Sequence, residues 1–142
     1  MARSDTLPIF IDTYQFVREL YQITHKFPRA YKYCLGSRMN EDALMLLMCI
    51  FRANHSREQR RTELDAFLSA LEMVRVEIRL CHDIRILSVR QMAHLALYTD
   101  KIARQATAWR KHALNNSVTK KEDTEKVLPE SDEPTVFSSE QF

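Results

Sequence analysis

Along the first 114 positions, apolar residues recur at intervals of three and four, the spacing that gathers side chains onto one face of a helix. Four such segments stand out. In the first, from about Phe10 to His25, the stripe Phe10, Tyr14, Val17, Leu20/Tyr21 and Thr24 predicts the buried face, with Phe16 pointing outward. Pro28 closes this segment, because the residue before a proline avoids helical angles, and it can open the next helix at its first position.

The second segment admits two readings. It is either one helix from Pro28 to Ala53, with Gly36 allowing a neighbouring helix to come close, or a shorter one capped at Asn40-Glu41-Asp42. The next two starts are sharper. Ser56-Arg57-Glu58-Gln59 and Ser88-Val89-Arg90-Gln91 both have the S-x-x-Q form of a capping box. Behind them, helix 3 carries Leu64, Phe67/Leu68, Leu71, Val74, Ile78 and Cys81, and helix 4 carries Met92, Leu95, Thr99, Ile102, Ala106 and Trp109. Short connections force neighbouring helices to run antiparallel, so the pattern predicts an all-α, up-down-up-down four-helix bundle. After Leu114 the periodicity stops. Residues 115–142 are rich in Ser, Thr, Glu, Asp and Lys and contain Pro129 and Pro134, which predicts a disordered acidic tail beside a folded body of residues 1–114.

Composition supports this division. One glycine in 142 residues leaves little room for the turns of a β-rich fold. It also excludes the GxGxxG and GxxxxGK[ST] phosphate loops. The longest apolar run, Ala43 to Phe51, is too short to span a bilayer, and the start of the chain has no secretory signal pattern. Cys34, Cys49 and Cys81 are odd in number and form no CxxC pair, so each is expected to be a small buried hydrophobe in a reduced, soluble, cytoplasmic protein.

The net charge of +2 conceals an asymmetry. Residues 1–114 hold 18 Lys and Arg against 12 Asp and Glu, while residues 115–142 hold 3 against 7. Fourteen of the 18 cations are arginine, whose planar fork suits phosphate. A basic helical body with an acidic tail points towards a polyanionic partner.

Catalytic chemistry finds little support. Cys81-His82-Asp83 looks like a triad only on paper, because successive helical residues diverge by about 100°. The five histidines form no HxxxH or HExxH pair, and no carboxylate makes the helix-borne ExxH pattern of a di-iron site. The expectation is a protein without enzymatic activity, metal or other cofactor.

The basic residues are better ordered. On helix 3, Arg57, Arg61, Arg75 and Arg79 project within a wedge of roughly 40°. Ion pairs such as Glu58/Arg61 and Glu72/Arg75 account for that wedge as well as a binding site does. On helix 4, Arg90, Lys101, Arg104 and Lys111 fall within roughly an 80° sector opposite the core, with Asp100 the one acid nearby. The candidate nucleic-acid-binding residues are therefore Arg90, Lys101, Arg104 and Lys111, with Arg75 and Arg79 behind them.

Several stretches together resemble a known family. Phe27-Pro28-Arg29-Ala30-Tyr31-Lys32-Tyr33-Cys34-Leu35-Gly36-Ser37-Arg38-Met39, Ala43-Leu44-Met45-Leu46-Leu47 and Arg52-Ala53-Asn54 are similar to the accessory variability determinants of diversity-generating retroelements. So are Leu80-Cys81-His82-Asp83-Ile84-Arg85-Ile86-Leu87-Ser88 and Ala103-Arg104-Gln105-Ala106-Thr107-Ala108-Trp109. The likeness covers residues 10 to 113. A sister group of four-helix proteins, associated with intervening sequences in 23S ribosomal RNA, shares the Phe-Pro turn but differs at Leu35-Gly36-Ser37-Arg38.

The resemblance implies a second helix continuous through Gly36 and a ring-shaped homopentamer. It also implies a basic surface that binds the element's reverse transcriptase and its RNA or DNA, without enzymatic activity of its own. Such proteins support mutagenic cDNA synthesis and replacement of a variable repeat. The acidic tail is not part of the family pattern. The alternative reading is a structural or ribosomal-RNA-associated four-helix oligomer with no retroelement role. Self-association is expected on the family's account, with Leu97 and Phe16 as outward apolar positions.

Overall fold

The computed structural model describes residues 3–127, with side chains through Asn115, and shows an all-helical chain built from four principal helices. A single 3₁₀ turn, Ser4–Thr6, leads into α1, Pro8–His25, where Pro8 occupies the first turn that a proline tolerates. Three abutting stretches, Arg29–Tyr31, Lys32–Gly36 and Ser37–His55, follow without a break and are together α2. Helix α3 is Arg60–Asp83, and α4 is Val89–Val127.

The continuous form of α2 is therefore the correct one. The Lys32–Gly36 stretch is a π turn, which inserts one extra residue into the helical ladder. Gly36 itself has ordinary helical angles, φ −59° and ψ −46°. A methyl group at Gly36 would lie 3.5 Å from Phe27 Cδ2 and from Thr24 Cβ, an ordinary van der Waals contact, so α2 packs on the end of α1 here without requiring a glycine.

Capping chemistry is as the sequence suggests at one site and half so at the other. The Ser88 amide donates to Gln91 Oε1 at 2.9 Å, and the Gln91 amide donates to Ser88 Oγ at 3.0 Å. Both bonds of the box are made. At the earlier site the Gln59 amide donates to Ser56 Oγ at 3.3 Å, but α3 starts only at Arg60. Helix α3 closes through Arg85, whose φ of 67° lies in the left-handed region. The Ile86 amide reaches Cys81 O at 2.9 Å and the Arg85 amide reaches His82 O at 3.0 Å, which is the Schellman pattern with arginine where glycine is usual.

The core runs the length of the bundle and contains Phe16, Leu20, Met39, Leu46, Ile50, Phe67, Leu71, Leu95 and Ile102. The stripes expected for the last two helices are confirmed, with Met92, Trp109 and Leu68 packed at the margin. The first helix corrects its expectation. Val17, Leu20 and Thr24 are buried as expected, but Phe16 is fully buried and Tyr14 and Tyr21 are exposed, because the inward stripe is Ile9, Thr13, Phe16, Val17, Leu20 and Thr24. Cys34 is also exposed, contrary to its expected burial, while Cys49 and Cys81 are buried.

Helix α4 continues past Leu114, where the apolar pattern stops, so the expected body boundary falls inside a helix. The expectation of disorder for 128–142 lies outside the described residues. Helix α1 packs on α2 and α4, and α3 packs on the same two, so α2 and α4 stand diagonally across the bundle.

Candidate nucleic-acid interface

Residues 90, 97, 104 and 111 of α4 follow one another at steps of seven, which keeps them in nearly one line along a helix. All four are exposed: Arg90, Leu97, Arg104 and Lys111. Among the described residues none of the three cations in this line has an ion-pair partner.

The other predicted residues divide. Arg79 is exposed and is without an ion pair among the described residues. Arg75 belongs to the structure instead. Its guanidinium lies 3.2 Å from Asp100 and 3.7 Å from Glu72, and Nη2 donates to Thr99 O at 3.2 Å. Lys101 is turned towards α1, where Nζ meets Asp12 Oδ1 at 3.3 Å. Gln105 Nε2 donates to the second oxygen of Asp12 at 2.6 Å, so this carboxylate clamps two consecutive turns of α4. The structure thus brings Arg90, Arg104 and Lys111 together and sets Arg75 and Lys101 aside as inter-helix fasteners. The expected Glu72/Arg75 pair is present, and Glu58/Arg61 is not among the ion pairs of the described residues.

Further fasteners hold the ridge in place. Arg110 pairs with Asp65 of α3, and the Arg60 guanidinium sits 5.4 Å from the Trp109 ring centroid. Burial and the nearby Arg57 charge lower the pKa of Arg60. His94 lies 3.5 Å from Glu19 of α1.

Away from α4 the surface changes character. Helix α2 exposes Leu44, Met45, Met48 and Phe51, each by between 44% and 51%, and neighbouring α3 exposes Met73, Val76 and Leu80. On α2 these four residues share the side of the helix away from the core. Because α2 and α4 are diagonal, the apolar face and the basic ridge lie on opposite sides.

A second basic region escaped the helical-wheel reading. Between Glu19 and Glu41 the chain has Lys26, Arg29, Lys32 and Arg38 and no carboxylate. That run was the signal available in the sequence. It is missed when charge is counted helix by helix, because it straddles the α1–α2 turn.

The remaining reactive groups are structural. Cys81 Sγ lies 3.4 Å from Met39 Sδ, and its pKa is raised to about 11 by burial and by Glu77. Cys49 is raised to about 11 by burial, then by Glu63. His82 Nδ1 meets Asp83 Oδ1 at 3.2 Å, contrary to the expected divergence of these two, whereas Cys81 is buried in the core and stands apart from them. Among the described residues no group of three or more His, Cys, Asp or Glu is placed to hold a metal, and no helix is long and apolar enough to cross a membrane.

Four helices whose surface separates an apolar face from a cationic ridge define a helical protein organised around contact surfaces. The chain belongs to the bAvd-like family, the bacterial accessory variability determinants, whose family model matches residues 9–113. That family is one of accessory proteins, and membership points to an accessory role in a diversity-generating retroelement. No curated protein matches the chain.

Proposed function

We propose that this protein is the non-enzymatic accessory subunit of a diversity-generating retroelement. It binds the element's reverse transcriptase and RNA or DNA through basic surface, and so supports mutagenic cDNA synthesis and retrohoming in the cytoplasm. The observation that carries this reading is the family match over residues 9–113, which spans all four helices.

Two structural features support it. Arg90, Arg104 and Lys111, without ion pairs among the described residues, form an accessible ridge on a helix fastened to both neighbours. On the diagonal side, the Leu44–Phe51 face of α2 suits a second copy of the chain, as expected for a homopentamer. An up-down-up-down arrangement is supported by the contacts of α4 with α1 and α3: residue 12 meets 101, 19 meets 94, 65 meets 110 and 75 meets 100, each pair read in opposite directions.

The test is co-purification with the reverse transcriptase of the protein's own retroelement, coupled with light scattering and a filter-binding titration against the element's RNA. A mass several times 16.8 kDa, with polymerase and RNA bound, is expected. A monomer at micromolar concentration that retains neither partner would overturn the reading.

A further inference from the structure

The acid-free stretch from Leu20 to Asn40 differs from the α4 ridge in one respect: tyrosines alternate with its cations. Tyr33 is 70% exposed, the most open of the five tyrosines. Tyr31, two positions earlier, is exposed as well. The Lys32 ammonium lies over one face of the Tyr33 ring, 5.5 Å from its centroid, so the charge backs a ring whose other face is available.

The backbone fixes this presentation. Tyr33 lies in the π turn that ends at Gly36, which is buried near Phe27 and Thr24. Asn40 Nδ2 donates to Thr24 Oγ1 at 3.0 Å, tying the same part of α2 to α1. An inserted residue that bulges outward from an anchored helix is a recurrent feature of functional sites. Arg38 is already engaged by Asp42 at 3.3 Å, which leaves Lys26, Arg29 and Lys32 as the cations of the patch.

Open aromatic rings beside unopposed cations fit one chemistry better than others. The cations track phosphates, and the rings accept unpaired bases face to face without regard to sequence. A duplex keeps its bases stacked on each other and offers only its phosphates. We propose that Tyr33, with Lys26, Arg29 and Lys32, forms a stacking platform for single-stranded nucleic acid. The proposal rests on the nucleic-acid binding argued above and adds where the strand lies and that it is unpaired.

Fluorescence anisotropy on the full chain tests it, with a labelled oligothymidylate and a labelled duplex of matched length as probes. Tyr33→Ala should weaken single-strand binding roughly tenfold or more, the scale of one base stacked on one ring. Duplex affinity and the salt slope should stay unchanged, and Tyr33→Phe should bind as the wild type does. Arg29→Gln with Lys32→Gln should instead lower the single-strand salt slope by about 0.7 for each phosphate no longer neutralised.

Circular dichroism and light scattering accompany each variant. A folded Tyr33→Ala protein of unchanged mass that binds both probes as the wild type does overturns the platform. Equal weakening for both probes overturns it too, since stacking cannot weaken a duplex contact. A change in oligomeric mass assigns Tyr33 to a contact between copies instead. If wild-type protein binds the duplex through α4 while Tyr33→Ala changes nothing, the platform alone fails. If the wild type binds neither probe, the nucleic-acid reading fails with it.

Discussion

Glu77 on α3, only 6% exposed, is buried beside the Asp42 carboxylate on α2. Asp42 also receives Arg38 Nε at 3.3 Å. Two carboxyl groups brought this close repel when both are charged, which favours a proton on the more buried one. Burial, with the neighbouring Asp42 carboxylate behind it, raises the Glu77 pKa from 4.5 to about 8, and Arg38 opposes the shift.

This arrangement fixes the sign of a pH dependence. Between pH 4.5 and about 8 the folded chain holds a proton that the unfolded chain releases. Stability from this group therefore falls as pH rises through that window, and the loss is complete above about 8. Glu77→Gln keeps a neutral donor beside Asp42 and removes the titration. Thermal melts of both proteins at neutral and alkaline pH should show the wild type losing Tm on alkalinisation and the variant losing less. Parallel curves would place the proton elsewhere.

Arg85 is the second position where structure and residue type disagree. A non-glycine residue in the left-handed region costs about 1 kcal/mol, and the φ of 67° is required by the Schellman closure of α3. Arg85→Gly should stabilise the chain by up to about 1 kcal/mol, read as a higher urea midpoint with unchanged m value. A lower midpoint would show that the arginine side chain makes a contact worth more than the strain.

How much of this was legible in the sequence depends on the range of the interaction. The Ser88/Gln91 box is local, and it forms as the spacing predicts. In α1, apolar residues occupy most sides, so two stripes fit the helical period equally well. The true one passes through Thr13, whose polarity disguises it, while the amphipathic Tyr14 and Tyr21 remain at the surface. For the candidate site, the helical wheel identified the exposed ridge but could not reveal partners distant in sequence. Lys101 finds Asp12, 89 residues away, and Arg75 finds Thr99 and Asp100 on the next helix. Charges on one helix become free or committed only when the neighbours are in place.

The apolar face of α2 yields a prediction about assembly. Met48 and Phe51 are 44% and 51% exposed and lie outside the core, so replacing either with Glu removes little buried surface within one chain. If a second copy covers this face, the charge is buried on association and opposes it. Met48→Glu should keep the helical circular-dichroism signal and lower the mass measured by light scattering. A variant with wild-type mass would move the contact between copies away from α2.

The ridge on α4 gives the most direct test of nucleic-acid contact, because the structure separates its free cations from its committed ones. Arg90, Arg104 and Lys111 are exposed along one line, so Gln at all three should leave the melting temperature nearly unchanged. Each phosphate that the triple variant no longer neutralises should lower the slope of log affinity against log salt by about 0.9 on duplex or 0.7 on single strands. Affinity should fall alike for every sequence, since phosphates carry no base information. Lys101→Gln serves as the contrast: it breaks the Asp12 contact at 3.3 Å and should affect the α1–α4 fastening more than the salt slope. Equal slopes for the triple variant and the wild type, with both proteins folded and of equal mass, would remove α4 from the interface. The cations of the α1–α2 turn would then carry the binding alone.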